Sequence, residues 1–206
     1  FLLTLTKGGA TKQRFKYNYS IEQMGEVRYQ EMQDVAKVLD LDGMTVLDFP
    51  DSGLKEIDPR ELEKVIKDYI EKIKPALVVT YPVHGISGFH DHIVCHAIVK
   101  RVFLDLKPQG YLKRLAFFTI DENQAREAKN PDPMKGINFS KQEEIDCIIE
   151  IEDEDLEKFK QALDCYKTYQ DVIQRTDIRS FLKKEICFEL FQETHQPPLG
   201  DLCEFN

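Results

Sequence analysis

Apolar positions fall into two kinds of grouping along the chain. Short apolar or alternating runs lie at residues 1–6, 44–49, 76–81, 115–120, 145–151 and 187–191, each of strand length. Between them come stretches with helical spacing. Met24, Val27, Val35, Val38 and Leu39 recur over residues 21–40, behind Ser20 and Gln23, which stand at the spacing of a capping box. Asp58, Pro59 and Glu61 supply a cap, a first-turn proline and a first-turn acid for a helix that ends near residue 74, before Pro75. Further helices are predicted over 91–106 and 153–174, with a short one after that. Residues 121–141 are polar and contain Asn130-Pro131-Asp132-Pro133, which reads as a long surface loop.

Alternating strands and helices predict an α/β chain: a Rossmann-like three-layer sandwich with a mostly parallel central sheet, in a single domain over 1–206. The unbroken run at 76–81 suits a central parallel strand buried on both faces. Ligands in such folds sit beyond the carboxyl ends of the strands. That singles out Lys7-Gly8-Gly9, Pro50-Asp51-Ser52-Gly53 and residues 82–92. The run Phe1 to Thr6, ending in glycines, reads as a buried strand and its turn. A charged amine at the head of such a strand is costly, so a preceding strand and helix are expected.

Charge narrows the function. The 206 residues carry a formal net charge of -9, which argues against neutralising nucleic-acid phosphates. It leaves room for a local basic pocket. No apolar run approaches the roughly 20 residues that span a bilayer, and no leader pattern is present. The five cysteines are widely spaced and form no CxxC pair, so a disulfide framework or cysteine zinc knuckle is not expected. A reducing cytoplasm is the simplest location. Asn138-Phe139-Ser140 fits a glycosylation acceptor, read here as chance.

The chemistry concentrates in one place. Four of the five histidines, His84, His90, His92 and His96, lie within 13 residues, with Asp91 among them. The cluster follows the predicted central strand. His92 and His96 are four apart and share a helix face, a spacing that can hold one zinc. Asp91 can orient an imidazole or ligate directly. The plainer alternative is a packed or solvated histidine pair.

The segment Gly85-Ile86-Ser87-Gly88-Phe89-His90-Asp91-His92 resembles the second signature, G-H-P-D-H, of the LmbE/PIG-L family. Thr6-Lys7-Gly8-Gly9 is similar to that family's T-R/K-G-E loop, and Arg28-Tyr29-Gln30-Glu31 to its R-x-x-E helix. Residues 47–54 are similar to its L-x-x-P-D-G-x-L segment, and Lys74-Pro75 with the strand to Thr80 to its K-P-D-V-V-x-T segment. Ala162-Leu163 to Gln170 resembles its A-L-x-x-H-x-S-Q stretch, with Tyr166 at the histidine. The order and spacing of these motifs carry the resemblance over nearly the whole chain.

The resemblance implies a zinc-dependent amidase that removes acetyl from N-acetylglucosamine-type sugars or conjugates. Zinc is implied to rest on an H-P-D-D motif, absent from this sequence, and on His92. Phe89 stands where the family has the histidine that stabilises the tetrahedral intermediate. His90 is the candidate replacement, with His84 as the other, and His90 and Asp91 are the catalytic candidates. Arg28, Asp51 and His84 are the substrate-binding candidates. Arg28 has a competing role as a salt-bridge partner of Glu31, and Asp51 as a turn former. Tyr166 and Tyr169 read as core or rim residues. The partner implied is a small amino sugar, and homo-oligomerisation is left open. Two further readings stand beside the enzyme: a binding domain weakened by loss of the histidine at Phe89, and a purely structural metal site. Little hydrolysis is expected of the 206-residue chain alone.

Overall fold

The computed structural model describes residues 1–126, 136–176, 178–181 and 183–205. The motif Asn130-Pro131-Asp132-Pro133 lies outside them. The chain packs as two compact units: Phe1–Leu54 with Glu152–Lys183, and Lys55–Ile151 with Lys184–Asn206.

The first unit contains β1 (Leu2–Thr4), α1 (Ile21–Val38) and β2 (Met44–Val46), then α5 (Asp153–Cys165) and α6 (Gln170–Thr176). Strands β1 and β2 pair in parallel, Leu2 opposite Met44. Helix α1 starts with both halves of its capping box made: Ser20 accepts from the Gln23 N–H, and the Gln23 side chain accepts from the Ser20 N–H. Met24 and Val35 of α1 are buried, as are Ala162 of α5 and Ile173 of α6. The helix predicted over 153–174 is interrupted at Tyr166 (φ -79°, ψ 70°), and a 3-10 turn links its two halves. The first strand is only half-buried, with Phe1 exposed, which corrects the expectation of a buried strand.

The second unit contains α2 (Pro59–Ile73), β3 (Leu77–Thr80), α3 (His90–Leu106), β4 (Arg114–Thr119), the short α4 (Glu122–Arg126), β5 (Cys147–Glu150) and β6 (Glu185–Leu190). Asp58 caps α2 by accepting from the Arg60 N–H at 3.0 Å. The sheet order is β3-β4-β6-β5. Pairing is parallel for β3 with β4 and antiparallel for β4 with β6 and β5 with β6. The sheet is therefore mixed, not mostly parallel. An apolar run reports burial but not direction. A helical connection suggests a crossover to a parallel strand, but residues 152–183 return to where they left. Ile151 donates its N–H to the Lys184 carbonyl at 2.7 Å, so β5 and β6 form a hairpin around a long excursion.

The most buried strand is β4, whose residues alternate between two apolar faces. On one face Phe117 meets Phe191 and the ring of His96 on α3. Phe103 of α3 is fully buried, worth about 1.5–3 kcal/mol for a side chain of that kind. On the other face Ala116, Cys147, Phe188 and Leu190 pack under Leu199 and Leu202 of the C-terminal segment. An irregular segment thus covers the face where the expected sandwich has a second helical layer. Strand β3 ends the sheet among the described residues, with Val79 exposed. That corrects its assignment as the central strand.

Candidate functional site

The histidine cluster occupies the loop that leaves β3 and the first turns of α3. Gly85 and Gly88 adopt left-handed backbone, φ 64° and 69°. A Cβ at Gly85 would lie 3.0 Å from Cβ of His92 and 3.3 Å from Cγ1 of Ile93. Glycine here lets the loop press against the helix start. Helix α3 begins at His90, with Phe89 as its N-cap residue and no side-chain cap.

His92 is fixed on two sides. Its ring stacks on Tyr81, centroids 4.0 Å apart and planes 9° from parallel. Its Nδ1 lies 2.9 Å from the Gly85 carbonyl and 3.1 Å from the Ser87 hydroxyl. A carbonyl can only accept, so Nδ1 carries the proton. In the neutral ring the lone pair then sits on Nε2, which has no hydrogen-bond partner among the described residues.

His96 shares the helix face but not the surroundings. It is 6% exposed. Its Nδ1–H donates to the Tyr81 carbonyl at 2.9 Å, and its ring packs on Phe117. Its Nε2 is buried and has no hydrogen-bond partner among the described residues. Burial pushes its pKa below the usual histidine value, the Tyr81 bond opposing and the Lys100 charge adding. The i,i+4 spacing placed both histidines on one face; depth separates them.

His84 has the opposite proton arrangement from His92. The Ile86 N–H donates to His84 Nδ1 at 3.1 Å. The neutral ring therefore carries its proton on Nε2, 3.2 Å from the Ser140 hydroxyl. Burial lowers the His84 pKa, with the Glu144 charge opposing. Ser140 is 1% exposed. It donates to Glu189 of β6 and lies 2.5 Å from the Thr119 hydroxyl. Burial raises the Glu189 carboxyl, the Ser140 bond opposing. Ser140 and Glu189 are residues that sequence reasoning missed. They lie 56 and 105 positions from His84, beyond any local pattern.

His90 and Phe89 are exposed at the start of α3, and the Phe89 ring meets His92 edge-on at 5.8 Å. Asp91 occupies the first turn, where an acid suits the helix N-terminus. Its charge adds to the burial that raises the Cys95 thiol to about 11.

Arg28 and Asp51 belong to the first unit. The Arg28 guanidinium lies between two tyrosine rings, 4.6 Å from Tyr166 and 4.5 Å from Tyr169. It donates to Glu31 at 2.8 Å. Glu31 is buried and also accepts from the Thr168 N–H at 2.6 Å and the Thr168 hydroxyl at 3.0 Å. The salt bridge considered for Arg28 is thus made, within a cluster joining α1 to the segment before α6. Asp51 accepts from the Ala10 N–H at 2.7 Å and the Thr6 hydroxyl at 3.4 Å, tying its turn to the glycine loop. Among the described residues, no three or more His, Cys, Asp and Glu gather into a metal-binding group. No helix there is long and apolar enough to cross a membrane.

Comparison with known proteins supports the family resemblance over the first half of the chain, and the stretch from Ala162 to Gln170 lies outside the family match. The PIG-L family, described as GlcNAc-PI de-N-acetylase, matches residues 1–103. The probable N-acetyl-alpha-D-glucosaminyl L-malate deacetylase 2 of Bacillus subtilis is 33% identical over 66 residues, 32% of this chain and 30% of that protein. The match therefore spans less than a third of that relative's length. Among solved structures, the zinc-inhibited form of teicoplanin deacetylase Orf2 is similar with a TM-score of 0.66 at 12% identity, over 93% of this chain and 87% of that one. GalB, the 4-carboxy-2-hydroxymuconate hydratase of Pseudomonas putida KT2440, is similar with a TM-score of 0.60 at 13% identity, over 94% and 84%. At these identities the structures show a shared fold.

Proposed function

The chain belongs to the PIG-L family, and from that premise we propose that it serves an N-deacetylase acting on an N-acetylglucosamine-type sugar or conjugate. The observation that carries the reading is the state of His92. Its Nδ1–H is held by a backbone carbonyl, which leaves the Nε2 lone pair unengaged. Metal-ligating histidines are oriented in this way by a partner on the other ring nitrogen. The similarity to a deacetylase of malate-linked glucosamine supports the substrate class. The fold alone does not choose the chemistry, since a hydratase shares it.

The donor set fits a share of a zinc site rather than all of it. His92 would supply one ligand through Nε2. The family draws the others, and a carboxylate base, from an H-P-D-D motif that this sequence does not contain. When bound, zinc supplies Lewis-acid polarisation of the amide carbonyl and a more acidic water. The chain's own residues do the rest. Tyr81 and Gly85 hold the His92 ring in place. His90, exposed at the helix start, is proposed to assist the developing oxyanion in place of the family histidine, and Asp91 to bias that imidazole. Arg28, with most of its N–H donors not committed to Glu31, and Asp51 are proposed to hold polar groups of the substrate. We propose a cytoplasmic location.

Phe89 favours a second reading, a homologue with weakened catalysis that serves in binding. An apolar ring cannot donate to an oxyanion. Elemental analysis separates the readings, on a polypeptide joining this chain to an H-P-D-D segment, with His92→Ala as control. About one zinc per chain, lost in the variant, together with acetate release from N-acetylglucosamine conjugates, supports the deacetylase. Zinc without acetate release supports the weakened homologue. Zinc that ignores His92 overturns both.

A further inference from the structure

His84 sits in the same loop as Gly85 and Ser87, the two residues that hold His92 Nδ1. That loop is anchored from outside by residues 138–140. The Asn138 N–H donates to the Ile86 carbonyl at 2.6 Å. The Asn138 amide reaches the His84 carbonyl at 3.5 Å. Ser140 takes the His84 Nε2–H.

The hydrogen-bond roles close without conflict. Ser140 has one hydrogen, given to Glu189. Its lone pairs are then available to the Thr119 hydroxyl and the His84 Nε2–H. Nδ1 of His84 faces a backbone N–H, so it has to stay unprotonated. The two histidines are thus fixed in opposite tautomers, Nε2–H for His84 and Nδ1–H for His92. Both ring nitrogens of His84 are engaged by the protein itself, which leaves none for a substrate.

We infer that His84 is a positioning residue rather than a substrate contact, clamping the loop onto the buried Ser140 and its half-buried partner Glu189 so that Gly85 and Ser87 hold His92 in its Nδ1–H form. Burial of His84, which disfavours its charged form, supports the neutral ring that this arrangement needs. The consequence for catalysis rests on the deacetylase reading. The tautomer arrangement does not.

Two variants split the bonds of His84. His84→Gln places an amide N–H near the former Nε2 and keeps the Ser140 bond. His84→Asn places a carbonyl oxygen near the former Nδ1 and keeps only the Ile86 bond. Because Asn138 already ties Ile86, the Ser140 bond is the one that transmits. The test is nitrogen-15 NMR of the imidazoles in the metal-free 206-residue chain, which requires no activity. Unmodified protein is expected to show His84 protonated at Nε2 and His92 at Nδ1. His92 is expected to keep that state in His84→Gln and to shift toward Nε2–H in His84→Asn and Ser140→Ala. In an active polypeptide, His84→Asn is expected to lower kcat about tenfold, as a small misplacement of a reacting group does, with KM unchanged. The inference is overturned if unmodified His84 is protonated at Nδ1. It is also overturned if His92 ignores both His84→Asn and Ser140→Ala, or if KM rises while kcat holds. Loss of acetate release from every variant and from the unmodified protein would instead count against the deacetylase reading, leaving the NMR result to decide this one.

Discussion

The phenol ring of Tyr81 lies flat on the imidazole of His92, centroids 4.0 Å apart and planes within 9°. The backbone carbonyl of the same Tyr81 accepts from His96. One residue just past the end of β3 therefore sets both members of the i,i+4 pair: one ring by stacking and the other by a hydrogen bond.

Because the ring face does the holding, Tyr81→Phe is expected to leave His92 unchanged, and Tyr81→Ala to free it. Stacked aromatic pairs contribute about 0.5–1.5 kcal/mol beyond their burial. A loss of that size is expected to weaken zinc binding by roughly twofold to twelvefold in the polypeptide carrying an H-P-D-D segment. Competition against a chelator measures it. Equal affinities for the phenylalanine and alanine variants would show that the stack orients nothing.

Phe89 sits beside His92 and is 67% exposed as a residue. An imidazole there needs no space made for it. If the site hydrolyses amides, Phe89→His is expected to raise kcat, because a donor aimed at a developing oxyanion contributes on the order of a hundredfold. His90→Ala is expected to lower kcat in the unmodified background and to matter less in the Phe89→His background. A double-mutant cycle on acetate release reads this directly. Additive effects would mean that His90 does not stand in for the missing histidine.

What was legible in the sequence was local. The Ser20–Gln23 capping box and the Asp58–Pro59 helix start are set by neighbours within one turn, and both form as read. The cluster at residues 84–96 was visible for the same reason, as was its place after β3. Strand direction was not, because β6 reaches β4 only after 65 residues of intervening chain. Nor was the difference between His92 and His96. Spacing gives the face of a helix, whereas depth depends on Phe117 across the sheet. Ser140 and Glu189 carry no motif, and only the fold brings them to His84.

Acidification tests the buried His96 and the half-buried His84. His84 and His96 both have folded pKa values below the ordinary 6.5, burial being the first cause in each. Between the folded value and 6.5 the unfolded chain binds protons that the folded chain refuses. Stability is therefore expected to fall as pH drops below 6.5, and to be flat in these groups above it. Glu189 acts in the opposite sense. Its raised pKa lets the folded protein take up a proton first, adding stability as pH falls through that value. His96→Asn keeps a donor for the Tyr81 carbonyl and cannot titrate. It is expected to reduce the slope of unfolding free energy against pH by the contribution of about one proton. Urea unfolding between pH 5 and 8 checks this; an unchanged slope would place the pH response elsewhere.

Arg114 offers a stability test away from the histidines. It is 2% exposed on the most buried strand. It makes a two-pronged contact with Glu193, at 3.0 and 2.7 Å, and donates to the carbonyls of Leu202 at 2.6 Å and Glu204 at 3.0 Å. Phe205 lies over the guanidinium. The Arg114 side chain thus fastens the end of the C-terminal segment to β4, Leu199 is tied to Asp146 and Ile148 by backbone hydrogen bonds, and Leu199 and Leu202 cover the sheet face. Arg114→Met keeps apolar bulk but leaves the two carbonyls without their donor. A loss on the order of 1.5–3 kcal/mol is expected, the range for a hydrogen bond to a charged group. Arg114→Lys, which keeps the charge but not the fork, is expected to fall between. Limited proteolysis then identifies the mechanism. If the segment is held as described, cleavage within residues 192–205 precedes global unfolding in Arg114→Met. Cleavage spread evenly over the chain would mean that Arg114 stabilises β4 itself and not the segment that covers it.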